Sequence, residues 1–97
     1  MEKGTRVPQV AGLEEAVRMY YERIELSTGD IRVLFACSQP TATRLKAIAK
    51  KKMDEDNVPC WNARNVNTEA AYAAWGLEIE SLEKRLKRLR QLKMAQA

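Results

Sequence analysis

Asp30-Ile31-Arg32-Val33-Leu34-Phe35-Ala36-Cys37-Ser38-Gln39-Pro40-Thr41-Ala42-Thr43-Arg44-Leu45-Lys46 decides how this chain folds. Ile31, Leu34 and Phe35 stand at i, i+3 and i+4, which puts an apolar stripe on one face of a short helix. Ala36-Cys37-Ser38 then predicts a corner: a small residue where the backbone turns, a small hydrophobe to plug the angle, and a hydroxyl to cap the next helix. Ala42, Leu45 and Ala49 continue at helical spacing and form the inner face of that second helix. Gln39, Thr43, Arg44 and Lys46 fall on its outer face, with Ser38 and Thr41 at its start. Amide, hydroxyl and guanidinium groups on an outer helical face suit base edges and phosphates.

The spacing resembles the helix-turn-helix of the lac-repressor family, where small-hydrophobe-Ser-x-x-Thr follows an apolar helix. Here those residues are Ala36, Cys37, Ser38 and Thr41, and the resemblance covers about seventeen residues. It departs from the family at Ala36, where Gly is usual, and at Arg32, where Ala is usual. Gly serves a turn that needs positive φ, so Ala36 implies some strain there. Two ordinary packed helices of a small α-domain would show the same apolar spacing, with a merely solvated outer face.

At 97 residues the chain is long enough for one domain with a modest core. Its formal net charge of +4 and pI near 9.3 make it mildly basic. No apolar run reaches the length of a membrane span, and no signal-peptide pattern opens the chain. Two cysteines, Cys37 and Cys60, are too few for a disulfide framework, and the composition is that of a reduced cytoplasmic protein. The absence of histidine removes imidazole acid–base chemistry and most zinc sites. These features argue against an enzyme, and no cofactor is expected.

Residues 1–12, with two glycines, a proline and no periodicity, read as a flexible arm in which Lys3 and Arg6 could touch phosphate. Leu13, Ala16, Val17, Tyr20, Tyr21 and Ile24 predict a first helix from Leu13 to Leu26 with one apolar stripe. Ser27 as N-cap places Asp30 at N3, a variant capping box. The second helix of the central stretch starts with Pro40 at N2, if Ser38 is its cap, or with Pro40 at N1. It ends in a charge switch, from Lys50, Lys51 and Lys52 to Asp54, Glu55 and Asp56. Lys50 and Lys51 suit either a DNA backbone or a solvated helix end.

Asn57–Asn67 has no helical period. Val58–Trp61 and Arg64–Val66 are expected as short strands around Asn62-Ala63, a hairpin whose tip offers Asn62 and Arg64 to phosphate or minor groove while Trp61 pins it to the domain. Asn67-Thr68 caps a short helix, Glu69–Trp75, and Gly76 with Leu77 predicts a Schellman ending against Tyr72. The last helix runs from Glu78 to about Met94, acids first and bases last. Ile79, Leu82, Leu86 and Leu89 make a heptad seam of about two repeats, broken at Lys93. Homodimerisation through that seam is favoured over intramolecular packing, because so charged a helix has little else of its own chain to lie on.

Helix, helix-turn-helix, hairpin, short helix and long helix, in that order, resemble the winged-helix family that includes MerR-like regulators and phage excisionases. The resemblance implies a mainly α fold with a small β-hairpin wing. It divides the chain into an arm (1–12), a winged helix-turn-helix domain (13–76) and a terminal amphipathic helix (77–97). It further implies double-stranded DNA binding through Ser38, Gln39, Thr41, Thr43, Arg44, Lys46, Lys50, Lys51, Asn62 and Arg64, with no small-molecule effector. A small phage or mobile-element regulator is the natural expectation. An excisionase-like accessory factor or a DNA-packaging recognition subunit stands beside it. From another class comes a helical interaction module whose basic tail meets an acidic protein.

Overall fold

The computed structural model describes residues 7–96. Its elements are α1 (Leu13–Glu22), β1 (Glu25–Leu26), α2 (Thr28–Phe35), α3 (Gln39–Glu55), β2 (Val66–Asn67), α4 (Thr68–Ala74) and α5 (Ile79–Gln96). The fold is mainly helical, with one two-stranded antiparallel sheet in which Glu25 faces Asn67 and Leu26 faces Val66. Among the described residues, no helix is long and apolar enough to cross a membrane.

Local hydrogen bonds explain where the helices begin and end. The Ser27–Asp30 capping box is formed in both directions: the Asp30 N–H donates to Ser27 Oγ at 3.2 Å and the Ser27 N–H to Asp30 Oδ2 at 3.0 Å. Three helices end on a left-handed residue. Ala36 (φ 50°) closes α2, Asn57 (φ 55°) closes α3 and Gly76 (φ 75°) closes α4. In each the following N–H reaches back over the turn: Cys37 to Arg32 C=O at 3.1 Å, Val58 to Met53 C=O at 2.9 Å, and Leu77 to Tyr72 C=O at 2.8 Å. Gly and Asn take this conformation readily; Ala does so against its Cβ, at roughly 1 kcal/mol. Ala36→Gly is therefore expected to raise stability by about 0.5–1 kcal/mol, readable as a shifted urea midpoint with an unchanged slope.

α4 is the hub of the core. Tyr72 is 1 % exposed and donates its hydroxyl to Ala16 C=O of α1 at 2.6 Å, while the Trp75 indole N–H donates to Leu45 C=O of α3 at 2.9 Å. Burial pushes the Tyr72 phenol well above its usual range. Trp75 meets Phe35 of α2 edge-on at 5.2 Å, so one short helix ties α1, α2 and α3 together. Ala70 and Ala71 permit the close approach this requires.

Three expectations are corrected here. The first helix stops at Glu22 instead of reaching Leu26, because Arg23 turns extended and Glu25-Leu26 pairs with β2; Leu26 is fully buried while Tyr21 and Ile24 remain exposed. The hairpin expected between Val58–Trp61 and Arg64–Val66 is not formed. Val66 pairs with β1, some forty residues earlier in the chain, and 57–65 is a loop. The terminal helix does lie on its own chain: α5 packs antiparallel against α1, with the Tyr21 hydroxyl donating to Glu83 at 2.7 Å and Arg90 reaching Glu14 at 3.3 Å. Leu82 and Leu86 belong to the buried residues of that packing, Ile79 is half-buried, and Leu89 stays exposed. Two of the four seam residues are thus already covered, which leaves little of the seam for a second copy.

Residues 7–12, expected within the flexible arm, also lie against the fold. The Ala11 N–H donates to Leu34 C=O at 2.8 Å, and Val7 and Val10 pack on the core. Lys3 and Arg6 lie outside the described residues.

Candidate nucleic-acid interface

Ser38 is the N-cap of α3, in extended geometry, so Gln39 is N1 and Pro40 is N2. With Pro40 unable to donate, the Ser38 hydroxyl turns to the Thr41 hydroxyl at 3.4 Å instead of capping backbone. Ala42, Leu45, Ala49 and Met53 are buried against α2, α4 and β2. The opposite side exposes Ser38, Gln39, Thr43, Arg44, Ala47 and Lys51 to solvent, and Thr41 is half-buried. A shallow groove runs along this side between Thr43, Lys46, Ala47, Lys50, Lys51 and Asp54.

Two lysines expected on the outer face are engaged within the chain. Lys46 is half-buried, its ammonium donating to Thr28 Oγ1 of α2 at 3.3 Å. Lys50 donates to the carbonyl of Ala63, strapping the 57–65 loop to α3. The loop therefore lies along one flank of α3.

Its builder is Glu25, a residue that no local pattern singles out. The Glu25 carboxylate accepts from the Cys60 thiol at 3.1 Å, from the Trp61 N–H, from the Asn62 N–H at 3.3 Å and from the Asn65 side-chain amide at 3.4 Å. The thiol and then the Trp61 N–H hold its carboxyl below the usual carboxylate range, against the opposing effect of desolvation. Burial, and then the Glu25 carboxylate, push the Cys60 thiol up. Within the loop, Asn62 Oδ1 accepts the Arg64 N–H at 2.9 Å and the Asn62 carbonyl accepts the Asn65 N–H at 2.9 Å. Asn62, expected as a DNA contact, spends its side chain on this turn. Arg64 stays exposed.

A carboxyl held below its unfolded value contributes stability above the unfolded pKa and loses it as pH falls through the folded pKa. The loop is accordingly expected to loosen below about pH 4. Faster amide exchange at Trp61 and Asn62 would report it, and Glu25→Gln should show the same at neutral pH. Equal protection in both proteins would remove Glu25 from this role.

Trp61 overturns its expected part. It is 83 % exposed and pins nothing. Trp61→Ala is therefore expected to change stability by no more than about 0.5 kcal/mol, against the several kcal/mol of a core tryptophan. A thermal melt of the variant checks this.

Charge is unevenly placed. Residues 1–78 carry eleven Lys and Arg against eleven Asp and Glu, whereas α5 carries six against two, so the chain's whole excess sits on α5. Lys84, Arg85, Lys87 and Arg88 are all exposed along it. Among the described residues, no group of three or more Cys, Asp and Glu side chains is placed to hold a metal ion. No family model, no curated protein and no solved structure matches this chain.

Proposed function

We propose that the chain is a sequence-specific double-stranded DNA-binding protein of winged helix-turn-helix type, with α2 and α3 as the motif and the 57–65 loop in the place of the wing. The observation that supports it most is the solvent face of α3. Gln39, Thr43, Arg44 and Lys51 share one exposed side, bordered by a loop that adds Arg64. Such a face offers amide, hydroxyl and guanidinium donors to base edges in a major groove, and an ammonium to phosphate. The excess charge of α5 supplies a sequence-independent attraction to a polyanion. A small phage or mobile-element regulator is the fitting role, with an excisionase-like accessory factor or a packaging subunit as its variants.

Selection from a random duplex library yields the test site. Arg44→Ala is expected to lose about 1–3 kcal/mol on that site and little on random DNA, whereas Lys51→Ala should weaken both alike and lower the salt slope by about 1. Equal losses for Arg44→Ala on both duplexes would reduce it to a phosphate contact. No binding by the intact chain at low salt would end the reading.

The concentration of charge on α5 favours a second reading, docking on an acidic protein. The variant Lys84→Gln/Lys87→Gln/Arg88→Gln separates the two: a shallower salt dependence of DNA binding supports the first, and unchanged DNA affinity supports the second. Pairing of two copies through the complete seam from Ile79 to Leu89 has no part in either, since Leu82 and Leu86 are buried within the chain.

A further inference from the structure

Among the described residues, Trp61 is the most exposed large hydrophobic side chain, yet the loop backbone beneath it is heavily bonded. Its own N–H and the next one both end on Glu25, Asn62 closes a turn over Arg64 and Asn65, and Lys50 holds Ala63 to α3. A loop that served only to connect α3 to β2 would need neither these bonds nor an indole in water. Ordering backbone costs free energy, and exposing an aromatic ring forgoes what its burial would return. The arrangement is that of a rigid mount for a ring that finds its contact elsewhere.

We propose that Trp61 is an aromatic wedge: on the DNA complex inferred above, on which this inference rests, the indole enters the minor groove beside the α3 site and partly unstacks one base step. The surroundings argue for DNA as the occupant. Arg64 lies three residues on, Lys51 is exposed on α3 next to the lysine that holds Ala63, and the nearby carboxylate of Glu25 has its oxygens occupied by the loop's own donors. An apolar tip beside cations matches how minor-groove proteins kink a duplex: cations hold phosphates while an apolar side chain opens a step. Glu25 is then a positioning residue and touches no DNA.

Intrinsic fluorescence suits the test, because the chain's other tryptophan, Trp75, is buried and far less open to quenching. The probe is a 30-base-pair duplex carrying the selected site, labelled at both ends to report bending by energy transfer. Wild-type protein is expected to show quenched Trp61 emission and shortened end-to-end distance. Trp61→Ala should melt like wild type, bind about tenfold or more weakly and leave the duplex straighter, while Trp61→Phe recovers most of both. Glu25→Gln should lose part of the bend while leaving salt dependence unchanged. If wild type binds and Trp61→Ala binds and bends equally well, the wedge is refuted and α3 binding stands. If wild type fails to bind any duplex at low salt, both fall together.

Discussion

Trp75→Ala is expected to destabilise the chain by about 3–5 kcal/mol, the range of large-to-small changes at buried aromatic positions. Trp75 is 4 % exposed, sits edge-on to Phe35 and lies 6.1 Å from the Tyr72 ring. Its removal opens a cavity where α2, α3 and α4 meet. It also withdraws the indole N–H from Leu45 C=O, a contact that holds α4 to the helix carrying the candidate DNA face. A domain this small has a total stability of only about 5–15 kcal/mol, so the loss is a large fraction of it. The melting temperature should fall by roughly 12–40 °C at about 4–8 °C per kcal/mol. Trp75→Phe should recover part of this, keeping the ring and losing the bond. A shift of less than about 1 kcal/mol would mean that α4 does not join the helices as described. Set beside Trp61→Ala, the pair compares one residue type at opposite extremes of burial.

The second large effect is expected from Leu86→Asp. Leu86 is 8 % exposed in the packing of α5 on α1. The substitution removes a buried leucine, worth about 2–5 kcal/mol by itself, and puts a carboxylate in its place without a partner. Undocking of α5 should result, with loss of helical circular dichroism and of cooperative melting. The sign of its pH dependence is set by desolvation. Burial raises the folded-state pKa of the new carboxyl above its unfolded value, so the damage grows as pH rises through the unfolded value, near 3.9, and eases below it. Sedimentation distinguishes the competing account. A variant that stays folded and differs only by losing a dimer would return the leucines to an intermolecular seam.

What could be read from the chain alone was whatever a few neighbouring residues decide together. The Ser27–Asp30 box, the corner at Ala36 and the Schellman close at Gly76 and Leu77 each involve backbone and side chains within about one helical turn. Their spacing therefore carries the physics, and so does the inner face of Ala42, Leu45 and Ala49. The mainly helical character came from these signals. The tertiary structure decided the rest. Glu25-Leu26 left the helical stripe because Val66-Asn67 offered it a ladder from forty residues away, and no periodicity encodes a partner at that separation. The same distance hid Glu25, whose four donors lie between Cys60 and Asn65. Trp61 looked like an anchor because tryptophan usually gains by burial, but that gain depends on an apolar surface within reach, and the loop bonded to Glu25 and Lys50 turns the ring away from one. The leucines of α5 are a seam in either case. A heptad pattern specifies that an apolar partner is needed, and only the chain's path past α1 determined that Leu82 and Leu86 meet that partner within the same molecule.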